Sequence, residues 1–407
     1  MQNRINNLSP GKKNILSIVL IAIVASLIYS NSFDASFHFD DEPSIVENYR
    51  IHRFDLNQIF SVATRPVLET TFALNYYFGK LDVFGYHLVN LLLHISNGIM
   101  LYFILMWTID RLTMTNEKGK TAADHDLYSK FRVPLYASLI FIAHPVQTEA
   151  VTYIVSRSSV LATFFYLLAF LFFILAVKQE SLHTNLSAKL FCAGAFISSC
   201  LGMGTKQITI TLPVMMLIYD YYFISKGNIR LLIGRYKFHL AMFATISVAV
   251  YLSYSGLFKF MSFDYAQGVH MPPMEGGKSE VITSFQYFLT QLHVIPKYIK
   301  LLFFPVGLNL DYDWPLTRGI DLLTIFYFIL LSGIVILGML LFRKSKLISF
   351  GIVWFFVTLS VTSSFLVIYD FIIEHRLYLP SAGFATIAAV LISRISEIRF
   401  GRGPEDN

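Results

Sequence analysis

Asp40, Asp41 and Glu42 stand side by side shortly after seventeen residues, Asn14 to Ser30, that carry no charge. Adjacent carboxylates repel one another, which raises the cost of keeping all three ionised. One use for such a group is a general base, with a second carboxylate that raises its pKa or orients a substrate. A plainer use is a helix start, an Asp cap followed by Pro43 in the first turn and the stretch "SIVEN". Both uses can hold for different members of the triplet.

Basic residues expected on the same side of the membrane form the second group: Arg65, Arg157, Lys206, Lys297, Lys300 and Arg376. A Lys or Arg that snorkels from the end of a span is the ordinary explanation for such a residue, and it suits Lys297 and Lys300, three apart on one helix. Arg157, Lys206 and Arg376 differ. Each lies in or beside a short connection, "YIVSRSSVLA", "GMGTKQITITLPVMMLIYD" or "EHRLYLPSAGFA", where the side chain can point only into the bundle or across its mouth. Arg suits bidentate phosphate contact and Lys a point-charge contact. In "HPVQTEAV", His144 and Pro145 break a short span, and Glu149 stands near Arg157, as an ion pair would. The histidines are too scattered for a metal-binding pair on one helix. Carboxylates on one loop and cations on several, all at headgroup depth, fit displacement of a lipid-linked phosphate by a hydroxyl. The carboxylate takes the hydroxyl proton and the cations neutralise the phosphate that leaves.

The elements that must hold these residues are membrane helices. The chain is 55% hydrophobic and 14% charged, which places it among polytopic membrane proteins. About ten apolar runs are expected to form its spans: 14–30, 86–109, 133–143, 159–177, 190–203, 208–224, 238–257, 322–342, 347–369 and 377–393. Basic residues collect in every second loop, so the positive-inside bias puts both termini in the cytoplasm. It puts 31–85, 144–157, 202–207, 258–319 and 370–376 outside. The run 285–304, broken by Pro296 and followed by Pro305, is then interfacial or re-entrant, since a full crossing would put the Arg343, Lys344 and Lys346 loop outside. Residues 1–407 read as one domain, with 31–85 as a first large outer loop carrying the acidic motif and 258–319 as a second. In the first loop, "RPVLETTFALNYYFGKL" predicts a two-faced helix opened by Pro66 and lying along the membrane surface. Cys192 and Cys200 have no zinc or disulfide spacing. Nothing in the chain suggests a nucleic-acid partner.

Read in order, "DDEPSIVEN", "RPVLETTFALNYYFG…GYHLVNLLLH", "HPVQTEAVTYIVSRSSVLATFFYLL", "KQITITLPVMMLIYD", "LLFFPVGLNLDYDWP" and "EHRLYLPSAGFA" resemble the transmembrane O-mannosyltransferases that usually carry tetratricopeptide repeats, and their bacterial relatives. These are of the GT-C glycosyltransferase class. The resemblance implies an all-α, GT-C-like fold and an inverting transferase that moves a sugar, mannose in that family, from a polyprenyl-phosphate carrier to a hydroxyl acceptor outside the cytoplasm. It implies Asp40 as catalytic base with Asp41 as its acidic neighbour, and Arg157, Lys206, His375 and Arg376 as contacts to the donor phosphate. Arg65, His144 and Glu149 are supporting candidates. Two departures matter. The family often has Lys-Glu where this chain has Lys206-Gln207, and the chain lacks the family's repeat domain, which leaves the acceptor open among protein, glycan and lipid.

No cofactor follows from these residues, although a divalent metal ion is compatible with them. A carrier or flippase of lipid-linked sugars is the rival from another class, and a scaffold without catalysis is a third. Transporters tend to hold ionisable residues near the midplane on broken helices, whereas these charges gather at span ends, which favours the enzyme. The sequons at Asn7 and Asn185 fall on the cytoplasmic side, so a bacterial inner membrane is favoured over an endoplasmic reticulum.

Overall fold

The computed structural model describes residues 9–113, 123–180, 185–252, 269–270, 281–368 and 370–400. Of the second large loop expected at 258–319, residues 258–268 and 271–280 lie outside the described residues. The helices that carry the architecture are α1 (Pro10–Ile28), α2 (Pro66–Gly79), α3 (Val83–Thr113), α4 (Ala123–Ala143), α5 (Arg157–Glu180), α6 (Asn185–Met203), α7 (Leu212–Tyr219), α8 (Ser284–Phe303), α9 (Leu322–Leu340), α10 (Lys346–Leu359) and α11 (Ser381–Phe400). Val269–His270 and Val281–Ile282 form a two-residue antiparallel ladder. The protein is an all-α polytopic membrane protein.

The ten expected runs resolve unevenly. Among the described residues, six helices are long and apolar enough to cross a membrane: α1, α3, Ile154–Gln179 around α5, Leu186–Met203 of α6, Gln207–Ile224 around α7, and α9. Tyr236–Leu252, α10 and Ser381–Ser396 of α11 are apolar but shorter, and run 133–143 lies within α4. The run 347–369 is cut short for a local reason. After Leu359 the Ser360 hydroxyl bonds the Val357 carbonyl at 2.7 Å and the Thr362 hydroxyl bonds the Leu359 carbonyl at 3.2 Å. Hydroxyls that occupy helix-end carbonyls compete with continuation of the ladder, and the chain runs on as turns and bends through 360–368.

Three apolar clusters result. The largest fills the bundle between α1, α3, α4, α5, α7 and α11. A second lies where α8 meets α9, α10 and the chain around Phe371 to Leu377. The third belongs to the loop region before α3, where Ile45, Ile51, Ile59, Leu68 and Phe72 pack on Tyr86, Ile154 and Leu161. Pro66 opens α2 as expected, since the first helical position needs no N–H donor. Helix α8 opens with a reciprocal cap between Thr283 and Gln286. It buries Tyr287, Leu301 and Leu302 on one face and exposes Phe285 and Phe303 on the other, a two-faced pattern that keeps it out of the uniformly apolar six.

Helices α10 and α11 cross at glycines. A Cβ on Gly383 would stand 2.4 Å from the Gly351 carbonyl oxygen, so only glycine allows this approach. The segment entering α11 is pinned by buried polar groups. Tyr378 Oη lies 2.6 Å from His94 Nδ1 and accepts from Asn97 Nδ2 at 3.1 Å. Gln147 Nε2 donates to Ser381 Oγ at 2.7 Å, and Trp354 Nε1 to the Leu379 carbonyl at 2.9 Å. Buried bonds of this kind favour one arrangement of the segment that follows residues 374–377, although Asn97 Oδ1 and Gln147 Oε1 have no partner among the described residues.

Candidate functional site

The acidic triplet does not cap a helix. Residues Glu42–Val46 form one wide turn with no side-chain cap. Asp41 is 1% exposed; its Oδ2 accepts the His38 N–H at 3.1 Å and its Oδ1 accepts the Val155 N–H at 2.7 Å. It thereby ties the first loop to the turn before α5. Burial pushes the Asp41 carboxyl up to about 6, against the lowering effect of those two N–H groups. Asp40 is held differently. Phe39 takes a left-handed conformation, φ 46°, and the Asp40 N–H donates to Tyr153 Oη at 2.8 Å. That leaves the Asp40 carboxylate exposed and free of hydrogen bonds among the described residues.

Asp40 opens onto a cavity of about 410 Å³ that Arg65, Lys206, His375 and Arg376 also line. These four come from separate elements. Arg65 precedes α2, Lys206 starts the turn Gln207–Thr211 that leads into α7, and His375 and Arg376 lie in the turn Glu374–Leu377 before α11. Lys206 is 9% exposed and its Nζ makes one hydrogen bond, to Ser159 Oγ at 2.7 Å. Burial, with Arg65 and Arg376 nearby, holds its pKa well below the ordinary lysine value. Burial also lowers Arg65, and the Asp40 charge partly restores it; its guanidinium has no hydrogen bond among the described residues. Arg376 is aimed by carbonyls, donating to Asp370 O at 2.6 Å and Phe371 O at 3.2 Å. Arg376 also donates to Thr362 O and Tyr287 Oη, both at 3.5 Å. Three cations lining one cavity, none of them hydrogen-bonded to a carboxylate side chain among the described residues, make it fit for an anion. Ile208, Val361, Leu366 and Ile368 add apolar wall to the same cavity.

Arg157, expected at a donor phosphate, stands apart from these four. It is fully buried and does not line the cavity. Nε donates to Asn90 Oδ1 at 2.6 Å, Nη1 to Asn75 Oδ1 at 2.6 Å and to Thr71 Oγ1 at 3.3 Å, and Nη2 to the Tyr86 carbonyl at 3.0 Å. The guanidinium also lies over the Phe72 ring, 4.6 Å from its centroid. With its donors engaged by protein, Arg157 braces α2 and α3 against the turn that receives Asp41. The Glu149 to Arg157 pairing read from spacing is replaced by another. Glu149 Oε1 is 2.5 Å from His375 Nδ1, and Oε2 accepts the His375 N–H at 3.1 Å. His144 is structural: Nδ1 accepts the Val146 N–H at 3.2 Å and Nε2 lies 2.9 Å from the Leu302 carbonyl.

A second cavity, about 340 Å³, lies against the first and shares Tyr153 with it. His38, Asp41, Glu149, Asn309 and Glu374 are among its walls. Burial pushes Glu149 up to about 8, with Glu374 adding to the shift. Burial also raises Glu374, which accepts from the Asn309 N–H at 2.7 Å and from the Tyr312 hydroxyl. Sequence reasoning singled out neither Tyr153 nor Glu374 nor Asp370, which lines the first cavity. Tyr153 is one of 23 tyrosines and carries no signal of its own; Asp370 and Glu374 flank the "EHR" motif, and that proximity was the usable hint. Among the described residues no group of three or more His, Cys, Asp or Glu could hold a metal ion.

The chain is similar to proteins named protein O-mannosyl-transferases. It is 28% identical over 227 residues to protein O-mannosyl-transferase TMTC4 of Homo sapiens, which covers 52% of this chain and 30% of that protein. It is 25% identical over 410 residues to a protein O-mannosyl-transferase of Caenorhabditis elegans, 95% of this chain and 52% of that one. With protein O-mannosyl-transferase TMTC3 of Homo sapiens the figures are 25% over 419 residues, 92% and 42%. The resemblance read from the motifs is borne out, and the chain spans about half or less of the length of these relatives. They come from animals, and the preference for a bacterial inner membrane finds no support in them. No family model and no solved structure matches the chain.

Proposed function

We propose that the chain is an inverting GT-C-type glycosyltransferase that moves a sugar, mannose by similarity to its relatives, from a polyprenyl-phosphate carrier to a protein hydroxyl on the extracytoplasmic side. The observation that carries this is the shared cavity. A carboxylate without hydrogen bonds among the described residues, Asp40, lines it together with Arg65, Lys206, His375 and Arg376, and Ile208, Val361, Leu366 and Ile368 line it too. Phosphate suits the charged part of that lining and an isoprenoid tail the apolar part. The acceptor oxygen attacks the sugar C1 from the face opposite the phosphate, and Asp40 takes its proton. The C1–O bond to phosphate breaks as the cations hold the charge that develops there. Arg65, one of the supporting candidates, takes the phosphate-contact role expected of Arg157.

The names of the relatives support a protein acceptor and a mannose donor, and the alternation of basic loops supports the sidedness. On this reading residues 31–85 and 258–319 form the extracytoplasmic part of one catalytic unit. The test is to incubate the purified protein with a panel of polyprenyl-phosphate sugars and to follow by mass spectrometry which sugar leaves its carrier. Loss of mannose from its carrier, abolished in Asp40→Asn, is expected. A panel left intact by folded protein overturns the assignment.

A further inference from the structure

His375 and Glu149 join the two cavities. His375 lines the cationic one and Glu149 the acidic one, and their side chains meet at 2.5 Å through Nδ1. Ser156 Oγ lies 3.1 Å from the same nitrogen. Nε2, the other ring nitrogen, has no hydrogen bond among the described residues, in a side chain 17% exposed. Resting on the glycosyl-transfer reading above, we propose that Glu149 and His375 form a proton relay in which Nε2 protonates the departing phosphate and Glu149 replaces that proton through Nδ1.

The charges around the pair favour its neutral form. Burial and Glu374 push the Glu149 carboxyl up to about 8, outweighing Lys206, which acts the other way; Asp41 and His38 line the same cavity. His375 is held well below the ordinary histidine value by burial and by Lys206, Arg376 and Arg65. A protonated Glu149 donates to Nδ1, so the ring hydrogen must sit on Nε2, where it points a donor at the phosphate. Histidine elsewhere in the cavity wall without such a partner would be free to take the other tautomer and present a lone pair instead.

The steps balance. When the C1–O bond to phosphate breaks, its electron pair stays on the phosphate oxygen, which takes the Nε2 proton while Nδ1 takes the proton of Glu149. On the other side of C1 the acceptor oxygen forms the new bond and gives its proton to Asp40. The carrier leaves as a monoanion, Glu149 ends ionised, His375 carries its hydrogen on Nδ1 and Asp40 is protonated; Nδ1 returns its proton to Glu149 as Nε2 takes one from solvent, and Asp40 gives one up to solvent. His375 is then a catalytic residue. Glu149 is a positioning residue that acts through it.

The test uses the full chain in detergent and citronellyl-phosphate mannose as donor, with release of citronellyl phosphate followed from neutral to alkaline pH. Glu149→Gln keeps the tautomer, because its amide can donate to Nδ1 and accept from the His375 N–H, but it cannot pass on a proton. Expected are a KM close to wild type and a kcat lower by about a hundredfold, the lower range for a positioned acid. Wild-type kcat should fall as pH rises past about 8, where Glu149 loses its proton, and the variant should lack that fall. His375→Gln should lose the same limb and the same factor, with no further loss in the double variant, as for residues acting as one unit; should Glu149→Gln not fold, His375→Gln alone reads the limb. A Glu149→Gln enzyme with wild-type kcat, a retained alkaline fall, or additive losses overturns the relay while leaving the transferase reading in place. A donor that wild-type protein does not consume overturns both.

Discussion

The two ends of the span Gln207–Ile224 treat charge in opposite ways. At the far end Asp220 is fully buried and fully matched: Arg235 Nε and Nη2 donate to its carboxylate at 2.8 and 2.6 Å, Ser225 Oγ at 2.7 Å, and His239 Nε2 lies at 2.9 Å. At the near end Lys206 is almost as buried, yet it has one hydroxyl for a hydrogen-bond partner, and the cations Arg65 and Arg376 act on it against Glu149. A buried charge is strongly unfavourable unless paired and hydrogen-bonded. The far end meets that demand within the chain, as a structural site does. The near end leaves it to be met by something that binds, and such imbalance is what a binding site shows.

Four substitutions test this contrast, beginning with the largest effect. Asp40→Asn keeps the shape of the unmatched carboxylate but not its basicity, so sugar transfer should fall by about a hundred- to ten-thousand-fold with donor binding retained. Steady-state rates and donor binding on the folded variant measure both, and wild-type transfer would remove Asp40 from the mechanism. At the matched end, Asp220→Ala removes the carboxylate that Arg235, His239 and Ser225 share, and stability in detergent should drop by about 3–5 kcal/mol, read as thermal unfolding, with folded molecules still binding donor. Arg157→Met falls in the same class, because it strips charged hydrogen bonds from Asn75 and Asn90, each worth about 1.5–3 kcal/mol. The smallest effect is the sharpest. Lys206→Met should weaken phosphate affinity by about 1.5–3 kcal/mol without lowering the unfolding temperature, since it removes a poorly paired buried cation. A loss of stability comparable to that of Asp220→Ala would mean that the two ends are alike.

Much of this was legible in the sequence and some was not. The apolar runs, Pro66 at the start of α2 and the grouping of charge at span ends follow from local composition, which acts over a turn or two of chain. The pairing of Asp40 with Arg65, Lys206 and Arg376 follows from where helix ends converge, and sequence distance hides that. The surroundings of Arg157 are hidden for the same reason. An arginine next to a short connection reads alike whether it faces a cavity or an internal network, and only Asn75, Asn90, Thr71 and the Tyr86 carbonyl around it decide the matter. The Asp triplet looked like a cap because caps are local, whereas Asp41 bonds Val155, which is 114 positions away.

The close crossing of Gly351 and Gly383 has a consequence for the bilayer around it. Two backbones in contact leave no room for an acyl chain, so α10 and α11 can neither slide nor re-tilt without a steric clash. The peripheral helices α1 and α9 are each only 17% buried over their most apolar stretch, and they face lipid over most of their surface. A change in hydrocarbon thickness is met by tilt wherever packing resists it least, which here is at α1 and α9. The turn carrying His375 and Arg376 is continuous with the clamped pair, so lipids of different chain length should reorient the rim of the molecule and leave the geometry of the cationic cavity unchanged.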